Sequence, residues 1–372
     1  MGGDVRMTRI FVASDDGVAM ATRRGVVWEA EVVLAGLSAQ CLAFDPFRPE
    51  VLFCGTFGQG LWRSVDAGAQ WERVGSGIAA GEVTAVAVST AERSGPSGVV
   101  WAGTEPSAIY RSEDQGVHWQ ECPELKALPS ASTWRFPPRP WTHHVRWIEP
   151  DPTIANRLFV AIELGGVMRS EDCGRSWEDR KPHARCDAHT LRTHPMAPGR
   201  VYEAAGDGYA ESPDGGERWE EGDGGLLDHY LWGLAVTPAD PNTIVVSASP
   251  SPRHAHDLRG RQGIWHLTQS ATEQGVHTPS EEPWHGPQAT LYRRQAGVLW
   301  TPVTEGLPPP RGTPAYVLAT NPDEARGIYA APLRDAVYRS DDGGRSWERL
   351  DITWPERYGS DRIRSLAVVP CS

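Results

Sequence analysis

The sequence predicts an all-β fold: a single seven-bladed β-propeller with four-stranded antiparallel blades, closed by the C-terminal strand joining the N-terminal blade. Three observations carry this prediction. An eight-residue pattern, Ser-x-Asp-x-Gly-x-x-Trp, recurs along the chain. Its tryptophans are spaced by about the length of one blade, and each interval holds several short strands between turn formers.

The pattern is complete in Ser64 to Trp71, Ser112 to Trp119, Ser170 to Trp177, Ser212 to Trp219 and Ser340 to Trp347. Two further copies, Gly25 to Trp28 and Gly297 to Trp300, keep only the Gly-x-x-Trp half. It reads as a β-hairpin turn. The Asp carboxylate accepts backbone N–H bonds a residue or two ahead, and the Gly adopts a backbone angle that a side chain disfavours. The Trp opens the next strand and buries a large ring with one polar edge. Asp66, Asp114, Asp172, Asp214 and Asp342 are therefore structural carboxylates. The tryptophans at 28, 71, 119, 177, 219, 300 and 347 are separated by 43, 48, 58, 42, 81 and 47 residues. The 53 residues left over, shared between the two termini, make one more interval, so residues 1–372 form one ring.

Within the second repeat the strands run Gln40 to Phe44, Val51 to Thr56, Gly60 to Ser64 and Trp71 to Val74. Six inner strands end at a proline (46, 150, 195, 238, 322 and 370), which cannot donate to the ladder and stops the strand. Four of these read Leu-Ala-x-x-Pro, pairing a large and a small residue near the crowded axis. Ile363 to Val369 should supply the inner strand of the first blade. Two repeats carry insertions, 122–142 before the fourth inner strand and 249–290 between the second and third strands of the sixth blade. Both leave the ring on the face opposite the boxes, where long loops on a rigid scaffold commonly carry function.

A net charge of −12 argues against nucleic acid or an anionic membrane surface as partner. No run of eighteen apolar residues is present, and the first residues lack the apolar core of a secretion signal. Six cysteines in 372 residues make no disulfide framework. Cys41 and Cys54, on adjacent strands of one hairpin, should stay reduced in the cytoplasmic protein these features lead one to expect.

The repeated box resembles the Asp box, or BNR repeat, of sialidases, oligoxyloglucan-processing hydrolases, sortilin-type receptors and photosystem II assembly factors. The resemblance spans nearly the whole chain and implies the propeller fold. It also implies a carbohydrate-directed activity or a protein-binding role. It does not extend to catalytic residues: Arg135-Phe136-Pro137 only echoes the N-terminal sialidase motif. The xyloglucan enzymes work in a cleft between two propellers, whereas this chain supplies one.

Six residues back from each terminal proline lies the start of an inner strand, at the channel mouth: Gln40, His144, His189, Trp232, Tyr316 and Arg364, with Thr84 in the blade that lacks the proline. His143, Arg146, Asp187, Asp228, His229 and Tyr230 lie nearby. Asp15, Glu105, Glu163 and Asp207 follow the second strands. Aromatic, imidazole and guanidinium groups converge in this way where polar ligands bind. A glycan or other small polar ligand would use Trp134, Trp141, Trp232 and Tyr316 as stacking platforms, with Gln40, Arg135 and Arg364 as polar contacts. Glu105, Glu163 and Asp207 would supply the acid and base of a glycoside hydrolase. The alternatives are a divalent transition metal held by His144, His189 and His229, and a non-catalytic scaffold for a protein partner.

Overall fold

The computed structural model describes residues 8–24, 27–258, 286–332, 336–355 and 362–370. Seven sheets of antiparallel blade strands surround a common axis; in six the strands follow sequence order from the axis outwards, and in the first the C-terminal strand is innermost. The second blade shows the plan: Ala39–Asp45, Arg48–Thr56, Leu61–Ser64 and Glu72–Val74. The fourth blade is the most reduced, its outer strand contracted to a bridge between Arg169 and Glu178. The third blade has no proline to stop its inner strand. That strand runs on through Glu82–Ser94, the longest in the molecule among the described residues.

The ring closes as the sequence predicts. Ile363–Pro370 pairs antiparallel with Thr8–Ser14, from Thr8 opposite Pro370 to Ser14 opposite Ile363. A second closure was not foreseen. Ile352–Thr353, just past the last box, adds a short parallel strand to the outer edge of the first blade opposite Trp28 and Glu29. The last stretch of chain thus grips the first blade at its inner and outer edges.

The five complete boxes form one turn. Ser64 Oγ accepts from Gly68 N at 2.9 Å and donates to Asp66 Oδ1 at 2.8 Å. Asp66 Oδ1 also accepts from Gln70 N at 2.8 Å. The carboxylate therefore reaches four residues ahead, not one or two. Two consecutive residues take left-handed angles, Ala67 (φ 59°) and Gly68 (φ 92°), and the pairs Gln115–Gly116, Cys173–Gly174, Gly215–Gly216 and Gly343–Gly344 repeat this. The second of each pair must be glycine for another reason as well. A Cβ on Gly68 would stand 2.6 Å from Phe11, on Gly116 3.0 Å from Phe53, on Gly174 3.3 Å from Trp101, on Gly216 3.0 Å from Phe159, and on Gly344 2.5 Å from Val245. Each of those neighbours lies on the second strand of the preceding blade. The box is thus a turn and a blade-to-blade lock at once.

Insertion 122–142 folds as two short 3-10 turns, Pro123–Ala127 and Pro129–Thr133, and buries Leu125 and Trp134 in the core between the third and fourth blades. Of insertion 249–290, the helical turn Pro252–His256 places Ala255 in the core. Trp265, His266, His277, Trp284 and His285 lie outside the described residues. Cys41, Cys54, Cys122, Cys173 and Cys186 are free thiols, and burial pushes Cys41 up to about 12. Among the described residues no helix is long and apolar enough to cross a membrane.

Candidate functional site

Side chains from the fourth, fifth, sixth and first blades converge at the start of their inner strands. From the fourth blade, His144 stands between two carboxylates. Its Nε2 is 3.0 Å from Glu163 Oε2 and its Nδ1 4.0 Å from Glu105 Oε2, with the three side chains 8, 13 and 6% exposed. Glu105 is gripped by Arg139, whose Nε and Nη2 donate to its two oxygens at 2.7 and 2.5 Å. Phe136 sits edge-on to His144 at 4.7 Å. Arg146 Nε lies 3.9 Å from Glu163 Oε2, and its guanidinium covers the Trp232 ring at 4.2 Å.

From the fifth blade, His189 is fully buried. Its Nδ1 donates to the Leu231 carbonyl at 2.6 Å, which turns Nε2 towards Asp187 Oδ1 at 3.5 Å. From the sixth, Tyr230 and Trp232 stack with planes 14° apart and flank the His189 ring at 5.0 and 4.8 Å. His256 then joins the sixth blade to the first. Arg362 Nη2 can only donate, so His256 Nδ1 accepts it at 2.8 Å. His256 Nε2 must therefore carry the proton and donate to the Tyr230 oxygen at 2.9 Å. The Tyr230 hydroxyl hydrogen is left free to bond elsewhere. Arg364 Nε donates to Asp15 Oδ1 at 2.8 Å.

The electrostatics follow from this crowding. Burial pushes the Glu163 carboxyl up, but His144, His189 and Arg146 together outweigh it and hold the group below the ordinary carboxylate range. Burial disfavours the His189 imidazolium, yet Asp187, Glu163 and the Leu231 carbonyl raise its pKa overall. His256 is driven the other way, first by burial and then by Arg362, His189, Arg146 and Arg364, and stays neutral. Arg362 is lowered to about 9 by burial and by its neighbouring guanidiniums.

The cluster therefore gathers His144, Glu163, His189, Trp232 and Arg364 from the residues singled out in the sequence, with Glu105 at its edge. Other expectations are corrected. Tyr316 is 1% exposed within the apolar cluster of Leu318, Tyr338 and Trp347 between the sixth and seventh blades. Trp134 is likewise a core residue, its Nε1 bonded to Ser130. Being sealed in the core, neither ring can serve as a stacking platform. Arg135 is exposed and Trp141 is 79% exposed, while Phe136 and Arg139 of the same run face the cluster instead. Gln40 bonds its neighbour Ser38. Asp207 is exposed and accepts from the backbone of Cys186 and Asp187, and His229 is exposed.

Sequence reasoning missed Arg362 and the parts played by Arg139, Phe136 and His256. Period-two alternation puts Arg362 on the same face as Arg364, a signal that was available. Two surface grooves lie elsewhere, one of about 490 Å³ beside Arg63, Glu72 and Val117 and one of about 160 Å³ beside Arg349 to Trp354.

No family model matches the chain. It is 29% identical over 223 residues to the xyloglucanase Xgh74A of Acetivibrio thermocellus, covering 52% of this chain and 24% of that protein. The chain thus spans about a quarter of the length of this curated relative. Among solved structures, the GH74 xyloglucanase from Xanthomonas campestris superposes with a TM-score of 0.60 at 19% identity, over 97% of this chain and 52% of that one. An ancestral GH74 enzyme gives 0.58 at 16%, over 89% and 38%. YCF48 bound to D1 peptide gives 0.56 at 14%, over 90% and 92%. The class is plain: a propeller built of repeats, similar in fold to glycan hydrolases and to a peptide-binding protein alike.

Proposed function

We propose that this protein binds a small anionic polar ligand, of the class of an acidic sugar, at the channel mouth beside Trp232. The observation that carries the reading is a surplus of guanidinium donors. Arg364 is matched by Asp15, but Arg146 stands 3.9 Å from a carboxylate already engaged by His144. Arg362 bonds an imidazole, and the Nε atoms of Arg146 and Arg362 are buried without a hydrogen-bond partner. Buried donors without partners favour an acceptor that brings charge. Trp232 and the free Tyr230 hydroxyl supply an apolar face and a further donor. The similarity to xyloglucanases supports a sugar over other anions.

Binding fits this geometry better than hydrolysis. The oxygens of Glu163 and Asp187 come within 4.8 Å of each other, close to the roughly 5 Å spacing of a retaining carboxylate pair. An acid catalyst must hold its proton near neutral pH, whereas Glu163 is held ionised and Glu105 is locked to Arg139. Calorimetric titration with glucuronic acid and with a neutral xyloglucan oligosaccharide, both in buffer with chelator, tests the proposal. The acidic sugar should bind, and Arg362→Gln and Arg146→Gln should each weaken it at least tenfold. Equal binding of the neutral sugar, or indifference to both substitutions, would overturn it.

A further inference from the structure

We propose that Glu163, Asp187 and His189 form a binding site for a first-row divalent transition-metal cation, with Zn²⁺ as the probe. One ligand atom from each residue lies within 4.8 Å of the other two. Tetrahedral ligands at about 2.1 Å from zinc are about 3.4 Å apart. His189 Nε2 and Asp187 Oδ1, at 3.5 Å, already have that separation. Only the Glu163 carboxylate, carried on a turn, has to close in.

A second and independent observation comes from hydrogen bonding. His189 is 0% exposed, and its Nε2 has no hydrogen-bond partner; neither has the buried Asp187 Oδ1 that faces it. The Nδ1–H bond to the Leu231 carbonyl fixes the ring with Nε2 3.5 Å from Asp187 Oδ1, and Glu163 offers an oxygen within 4.8 Å of both residues' ligand atoms. An imidazole bonded to a carbonyl through one nitrogen and presenting the other is the usual arrangement of a metal-ligating histidine. Here the groups nearest the unbonded Nε2 include two carboxylates, so a cation at this point would satisfy all three groups at once.

The surroundings suit such a cation. His144 Nε2 bonds Glu163 and stands against Glu105, which Arg139 clamps, so the turn-borne ligand is anchored from behind. The imidazole selects a transition metal over calcium or magnesium, which take oxygen ligands. Two carboxylates neutralise the divalent charge, and any remaining coordination position adjoins Arg146 and Trp232, which pack on the same group of residues. This differs from the three-histidine expectation: His229 is exposed, and His144 supports Glu163 from outside.

The inference uses different residues from the anionic-ligand proposal, and its test is run without sugar. The full chain, made without a histidine tag and stripped with chelator, is titrated calorimetrically with ZnCl₂ and with MgCl₂. One equivalent of Zn²⁺ should bind, and Mg²⁺ at least a hundredfold more weakly. Asp187→Asn and His189→Gln should each weaken zinc at least tenfold. His229→Gln, altered in an exposed residue nearby, should bind zinc as the parent does. Melting curves identify any variant that fails to fold, and Glu163→Gln then provides the third ligand test. No zinc binding by the parent, or equal loss in His229→Gln and Asp187→Asn, would overturn the site. Retained sugar binding in chelator would show that the other proposal stands separately.

Discussion

Replacing Gly68 by alanine probes the lock between the first and second blades. The new Cβ would sit 2.6 Å from Phe11 Cε1 and 3.1 Å from its Cζ, and Phe11 is fully buried. The ring cannot swing aside without disturbing the core of the first blade, and forcing such an overlap costs about 1–3 kcal/mol. The backbone at φ 92° adds about 1–2 kcal/mol for any residue with a Cβ. Together these give a loss of about 2–5 kcal/mol. Ala67→Gly is the matched control. Its φ of 59° is strained for alanine, and the relief is offset by the greater freedom of glycine in the unfolded chain. Its effect should lie within about 0.5 kcal/mol of zero. Urea unfolding followed by tryptophan fluorescence measures both. If Gly68→Ala were no less stable than Ala67→Gly, the glycine would serve the turn alone and the lock would not exist.

Three further outcomes are expected. Asp342→Ala removes an acceptor for Arg345 N, Ser346 N and the Ser346 hydroxyl, and should cost about 1–2 kcal/mol at this half-exposed turn with ligand binding unchanged. Burial pushes the Asp342 carboxyl up, but Ser346, Ser340 and Arg345 bring it from 3.8 to about 2. Its contribution is therefore complete above pH 4 and fades as pH falls towards 2, so the variant's acid-unfolding curve should be flatter across that window. Arg139→Ala strands the Glu105 carboxylate, 6% exposed, and should cost about 2–4 kcal/mol in urea unfolding, mostly recovered when Glu105→Gln is added. Ending the chain before Ile363 strips the inner partner from Thr8–Ser14, and the exposed edge should drive aggregation on size exclusion. A truncated monomer melting with the parent would refute closure by this strand.

The fold was legible because its signals are local. A turn written in eight residues can be read wherever it recurs, and a proline that ends a strand announces itself. Even the missing proline of the third blade was informative, since its strand runs on to Ser94. The parallel strand Ile352–Thr353 left no such mark, because two residues carry too little pattern to distinguish them from a loop. The site was half legible for the same reason. Counting back from the prolines finds the ring of strand starts, but not which side chains turn inwards. Tyr316 and Trp232 occupy equivalent positions, yet one enters the core between blades and the other faces His189. Trp134 and Arg139 share one insertion, and only its folding decides which of them reaches the carboxylates.

The candidate site is accordingly a sector and not a ring. At the box end every interface that carries a complete box solves the same problem in the same way, a bare glycine against the second strand of the preceding blade, and leaves little room for variation. The opposite end has no such constraint, and the seven strand starts go separate ways. Gln40 satisfies itself on Ser38, Thr84 donates to the Val145 carbonyl, and Tyr316 retires into apolar packing. His144, His189, Trp232 and Arg364 remain. They are joined by side chains from the turns, from both insertions and from the residue that precedes the closing strand. Arg362 lies next to the strand that closes the ring and bonds His256 at the start of the longer insertion. The closure that stabilises the propeller thus also delivers the positive charge of the site. Loosening the terminal strand should therefore weaken anionic-ligand binding before it unfolds the molecule.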